Sequence, residues 1–65
     1  MSFENLRIRK GLTQTELANK LGVSQQLISK WDNGKGKPKF SSIKKIAEAL
    51  NVDTDDVINC FENNG

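Results

Sequence analysis

Gln25 and Gln26 stand side by side, and Ser29 and Lys30 follow them at helical spacing. A glutamine amide carries a donor and an acceptor on one planar group, which matches the N6/N7 edge of adenine. A lysine ammonium reaches guanine O6/N7 or a phosphate. Two adjacent glutamines opening a helix sit where a recognition helix makes its base contacts. Taken alone, the pair reads equally well as a solvated polar face, because exposed glutamine is common. The elements around the pair favour the first reading.

Those elements are written into residues 13 to 34. Thr13 with Glu16 three residues on is a capping box. The hydroxyl takes one orphan amide, and the carboxylate takes the amide of Thr13 itself. Leu17, Ala18 and Leu21 then share one helical face. Gly22 ends this helix, where the chain needs a left-handed backbone. Ser24 caps the next helix. Ile28 and Trp31, three apart, point inward and leave Gln25, Gln26, Ser29 and Lys30 outside. Asn33-Gly34 stops the helix. Two short amphipathic helices joined by a tight glycine turn form the pattern of a DNA-reading helix-turn-helix.

Charge is distributed in keeping with that reading. The net charge is only +2, but residues 30 to 45 carry Lys30, Lys35, Lys37, Lys39, Lys44 and Lys45 against Asp32 alone. Residues 46 to 65 carry Glu48, Asp53, Asp55, Asp56 and Glu62 and no base. A basic side that begins on the reading helix is an electrostatic footprint for phosphate. The bland alternative is an ordinary solvated lysine loop.

Composition excludes several other classes. Cys60 is the single cysteine and histidine is absent, so an intrachain disulfide is impossible and a structural zinc site is disfavoured. Cys60 reads as a small buried hydrophobe. No phosphate loop, nucleophile motif or metal motif appears, so neither enzyme activity nor a cofactor is expected. No apolar run is long enough to span a bilayer, and the N-terminus lacks a signal-peptide pattern. The expectation is a cytoplasmic protein with no small-molecule ligand.

The remaining chain predicts an all-α fold of five helices. The first runs from about Ser2 to Lys10, with Ser2 as cap, Phe3 and Leu6 inward and Gly11 as its end. Ile8 falls off that face, available to an edge of the core or to a partner. Residues 34 to 39 break any helix and form a loop. The fourth helix, Phe40 to Leu50, sets Phe40, Ile43, Ile46, Ala47 and Leu50 at core spacing, and Asn51 closes it. Asp53 caps the fifth helix, Asp55 and Asp56 suit its positive end, and Val57, Ile58 and Phe61 form its apolar face. Leu12, Val23 and Val52 plug the core. Trp31 belongs to the core rather than to base stacking. The domain is expected over residues 1–62, with a frayed tail at 63–65.

The chain resembles the lambda-repressor/Cro-like helix-turn-helix proteins, the XRE family. The resemblance rests on Leu6-Arg7, Gly11-Leu12-Thr13-Gln14, Glu16-Leu17-Ala18, Leu21-Gly22-Val23-Ser24, Ile28-Ser29-Lys30-Trp31, Asn33-Gly34 and Ile46-Ala47-Glu48-Ala49-Leu50-Asn51-Val52. It implies a compact five-helix repressor-like domain whose third helix lies in the major groove. Ser24, Gln25, Gln26 and Lys30 would then face bases or nearby phosphates. Leu27 is left between a thymine methyl, a dimer contact and solvent. Gln14, at the start of the second helix, would meet the phosphate backbone. Asn33, Lys35, Lys37 and Lys39 would hold the backbone on the other side, with a loop slightly shorter than in some relatives. Arg7 and Asp32 occupy the positions of an ion pair that pins the third helix to the domain.

The function so implied is a sequence-specific regulator of bacterial or phage type, a repressor, that occupies an operator in double-stranded DNA. One recognition helix reads too few base pairs to find a genomic site. A palindromic operator and a weak homodimer assembled on DNA are therefore expected, the dimer forming around the fourth and fifth helices. The alternatives are a protein-interaction module, such as an antitoxin or adaptor on the same fold, and a nucleoid protein without sequence preference.

Overall fold

The computed structural model describes residues 2–62 and contains five α-helices: α1 (Phe3–Arg9), α2 (Gln14–Leu21), α3 (Gln25–Asp32), α4 (Phe40–Leu50) and α5 (Thr54–Glu62). No strand occurs among the described residues. The expected tail at 63–65 lies outside them. The starts of α1, α2 and α3 carry side-chain caps, whereas α4 has Lys39 at its cap position and no side-chain cap hydrogen bond.

Ser2 caps α1 by accepting the Asn5 amide at 3.1 Å. The capping box of α2 is complete: Thr13 Oγ1 accepts from the Glu16 amide at 3.0 Å and Glu16 Oε1 from the Thr13 amide at 2.9 Å. The bond from the Thr13 amide, followed by the Thr13 hydroxyl, holds the Glu16 carboxyl below its ordinary pKa. Ser24 caps α3 by accepting the Leu27 amide at 3.2 Å. Ahead of α5, the Asp53 carbonyl accepts from the Asp56 and Val57 amides, and Asp55 and Asp56 sit in the positive first turn. At the other ends, Gly22 takes φ 71° after α2 and Asn51 takes φ 57° after α4. Both are left-handed caps, as the residue types require.

The helices pack in the pairs α4 with α5, α2 with α3, α2 with α4, α1 with α3 and α1 with α5. Leu17, Ile28, Ile46 and Val57, one from each of α2 to α5, are completely buried at the centre. Phe3, Trp31 and Phe61 close the end of the core where α1, α3 and α5 meet. Their ring centroids lie 5.1 to 6.4 Å apart, inside the range for favourable aromatic pairs. Trp31 is thus a core residue, 4% exposed. Leu12, Val23 and Val52 pack against the core from the connections.

Two expectations need correction. Phe40 was placed on the core face of α4 but is 63% exposed. It is the first residue of the helix, beyond the stretch that packs on the core. The buried apolar residue at that end is Pro38 of the preceding loop. In α5 the buried set is Val57, Cys60 and Phe61, and Ile58 is only half-buried. Positions i, i+3 and i+4 make the inward stripe, and Cys60 fills the place that hydrophobicity alone gave to Ile58. Burial pushes the Cys60 thiol pKa up, as expected of a small core residue. Ile8 is 56% exposed and so covers no edge of the core.

The α2–α3 turn is testable through Gly22. A Cβ there would meet no neighbouring atom, so the cost of Gly22→Ala is conformational alone. Urea denaturation should show a loss of ~1–2 kcal/mol, the usual cost of a left-handed non-glycine residue. Asn51→Gly at the corresponding cap of α4 should be neutral or stabilising.

Candidate nucleic-acid interface

A short helix must be held firmly if its outer face is to be read in register. The outer face of α3 carries Gln25, Gln26 and Lys30, all exposed, with Ser29 half-buried beside them. Ile28 and Trp31 anchor the opposite face in the core. Leu27, left open by its sequence position, packs half-buried against the core edge. Ser24, exposed at the start of the helix, uses its oxygen as the cap acceptor, which leaves the hydroxyl hydrogen to donate outward.

The far end of α3 is tied down by charge. Asp32 Oδ2 accepts from Arg7 Nη2 at 2.8 Å, and the two side chains are 3% and 7% exposed. Arg7 Nη1 also donates to the Leu12 carbonyl at 2.7 Å, and Glu4 lies 4.0 Å from Nη2. One guanidinium thus joins α1, the α1–α2 connection and α3. The expected ion pair is present, and it is buried rather than an exposed surface pair. Arg7 Nε and Asp32 Oδ1 are buried without a hydrogen-bond partner among the described residues.

Gln14 departs from its expected surroundings. Its side chain is half-buried. Its Nε2 donates to Asp32 Oδ2 at 2.8 Å, and its Oε1 accepts a close hydrogen bond from Gln25 Nε2. The expectation placed this residue at the phosphate backbone. The structure also makes it the link between the buried carboxylate at the end of α3 and the glutamine at its start. Sequence reading missed this link. The available signal was Gln14 and Gln25 opening consecutive helices around one tight turn, but spacing alone gives no bond direction.

Beyond α3, Asn33 is exposed and makes a long contact, 3.5 Å, from its amide to Ser29 Oγ. Lys35, Lys37 and Lys39 are exposed along the loop into α4, and Lys39 occupies the cap position of that helix. The loop thus follows α3 in the chain as a run of exposed cations.

Comparison with known proteins agrees with this architecture. The family described as Helix-turn-helix matches residues 3–57. The chain belongs to that family, in its lambda-repressor/Cro (XRE) type. Over 56 residues, 86% of this chain, it is 43% identical to the HTH-type transcriptional activator BcrR of Enterococcus faecalis. Over 48 residues, 72% of this chain, it is 50% identical to the HTH-type transcriptional repressor RghR of Bacillus subtilis. It is 33% identical over 45 residues, 69% of this chain, to the cryptic phage CTXphi transcriptional repressor RstR of Vibrio cholerae. The matched parts make up 28%, 36% and 40% of those three relatives.

Removing one partner of the buried pair strands the other charge. Arg7→Met or Asp32→Asn should each cost ~3–5 kcal/mol. That is a large share of the ~3–10 kcal/mol typical of a domain this size. Arg7→Met combined with Asp32→Asn should be more stable than the sum of the single losses predicts. A double-mutant cycle in urea measures this, and a coupling energy near zero would reduce the pair to an ordinary surface contact.

Proposed function

We propose that residues 2–62 act as one module that binds double-stranded DNA sequence-specifically and regulates transcription from an operator, as a repressor in the cytoplasm. In this reading α3 enters the major groove. Gln25 and Gln26 read base edges, while Lys30 and Ser24 reach a base or the adjoining phosphate. Gln14, Asn33, Lys35, Lys37 and Lys39 hold the backbone on either side, where cations and a helix N-terminus favour oxyanions.

The observation that carries the proposal is the outer face of α3. It presents two amides and an ammonium to solvent from a helix anchored by a core tryptophan at one side and a buried ion pair at its end. Repression is favoured because occupancy of an operator can block transcription without further machinery. The names of the relatives are consistent with control of transcription in both directions.

Gln25→Ala or Gln26→Ala should cost ~1–3 kcal/mol on the preferred site and relax preference at one or two base pairs. Lys35→Ala or Lys37→Ala should instead weaken all duplexes alike and reduce the salt dependence of binding, because each removes one released counterion. Titrations of specific and random duplex at several salt concentrations separate the two classes. Equal losses on both duplexes for both kinds of variant would refute the assignment. Binding of a protein partner without a steep salt dependence would favour the interaction-module alternative.

Assembly is proposed to be a weak dimer formed on a palindromic site. With Val57 and Phe61 buried in the core, the apolar surface left around α4 and α5 is exposed Phe40 with half-buried Ile43, Ala49 and Ile58. So few apolar side chains are expected to bury less than the ~1,000 Å² of a stable interface. Sedimentation without DNA should give mostly monomer, and a footprint should give two symmetric half-sites about 34 Å apart. A tight dimer in free solution or an isolated half-site would each overturn this part.

A further inference from the structure

From the chain of bonds that joins Arg7, Asp32, Gln14 and Gln25, we infer that Asp32 is a positioning residue. It sets which way round the Gln25 amide faces and so makes the protein favour adenine over guanine at the base that Gln25 reads. The inference rests on the assignment of Gln25 as a base reader and extends it inward to a residue that DNA does not touch.

The argument follows donor and acceptor chemistry through the contacts. A carboxylate has oxygens and no hydrogen to give, so a side chain bonded to it must donate. Gln14 therefore turns its NH2 toward Asp32, at 2.8 Å. The opposite orientation would set a carbonyl oxygen against a carboxylate oxygen at a site only 3% exposed, where water cannot soften the repulsion. Arg7, bonded to the same oxygen, holds the carboxylate in place. One N–H of Gln14 is spent on Asp32 and the other is left for the DNA backbone, and in this orientation it is the Gln14 oxygen that faces Gln25. Gln25 must then donate, and it does so through Nε2.

The consequence appears on the outer edge of Gln25. One N–H is spent on Gln14, so the amide keeps one N–H and its oxygen for the DNA. One donor and one acceptor match the N7 acceptor and N6 amino donor of adenine. Reversed, the Gln25 oxygen would be spent inward and the NH2 would face out. Two donors match the N7 and O6 acceptors of guanine and oppose the amino group of adenine. The buried carboxylate thus selects between two readings of one side chain. The two glutamines alone could adopt either direction, because each amide can donate or accept.

The test reverses the direction at Gln14. Gln14→Lys keeps a donor for Asp32 but gives Gln25 a neighbour that can only donate, so Gln25 must accept through its oxygen. Gln14→Met removes both bonds and frees the Gln25 amide. Folding of each variant is checked by urea denaturation, and bound sequences are selected from a random duplex pool. The wild type should favour adenine over guanine at one position in each half-site by about tenfold, within the range of a single bidentate contact. Gln14→Met should narrow that ratio, and Gln14→Lys should invert it while raising affinity for all duplexes through its charge. Gln25→Ala identifies the position by abolishing the preference there. If Gln25→Ala does so but Gln14→Lys keeps the adenine preference, Gln25 reads the base and the control by Asp32 is refuted. If Gln25→Ala changes no position, the base-reader assignment itself fails, and this inference with it. If Gln14→Lys does not fold, an unchanged ratio in Gln14→Met is sufficient to refute the control.

Discussion

A guanidinium and a carboxylate enclosed in so small a domain impose the condition that the rest of the structure meets. Arg7 and Asp32 are nearly excluded from solvent, and a buried ion pair repays its desolvation only with good geometry and further hydrogen bonds. Those bonds come from the Leu12 carbonyl and the Gln14 amide. Meeting them draws α1, the connection after it, the start of α2 and the end of α3 to one point. The pair is weak evidence for net stability. What it supplies is placement: α3 has one position at which Asp32 finds both donors.

The apolar core supplies what the ion pair cannot. Helices of 7 to 11 residues are marginal in isolation, so each must bury one face against the others. The fully buried side chains Leu17, Ile28, Ile46 and Val57 provide that contact, and the Phe3–Trp31–Phe61 cluster closes one end. The reading face gains from both constraints. Ile28 and Trp31 fix the rotation of α3 about its axis, and Asp32 fixes its end.

The division of charge follows from the same economy of length. The lysines of the loop and α3 lie together in the chain, and five of the eight acids gather in and around α5 and at the end of α4. Every acid kept away from α3 leaves the potential there more favourable to phosphate. Asp32, the one acid of α3 itself, is turned inward and paired with Arg7.

The capped starts of α1, α2 and α3, the capping box, the left-handed positions at Gly22 and Asn51 and the inward place of Trp31 were legible in the sequence. Each is decided by residues within about one turn of one another, and local sterics and hydrogen bonding act over that range. The resemblance also carried the pairing of Arg7 with Asp32, although not its burial. Tertiary structure decided the rest. Phe40 lies outside the core and Ile58 only half inside it because the packing limits of α4 and α5 depend on their neighbours. Gln14 joins Asp32 and Gln25, 18 and 11 residues away, because three helix ends converge there. The direction of an amide is set by what surrounds it in space, so the residue types revealed which groups could read a base and only the fold decided which way one of them faces.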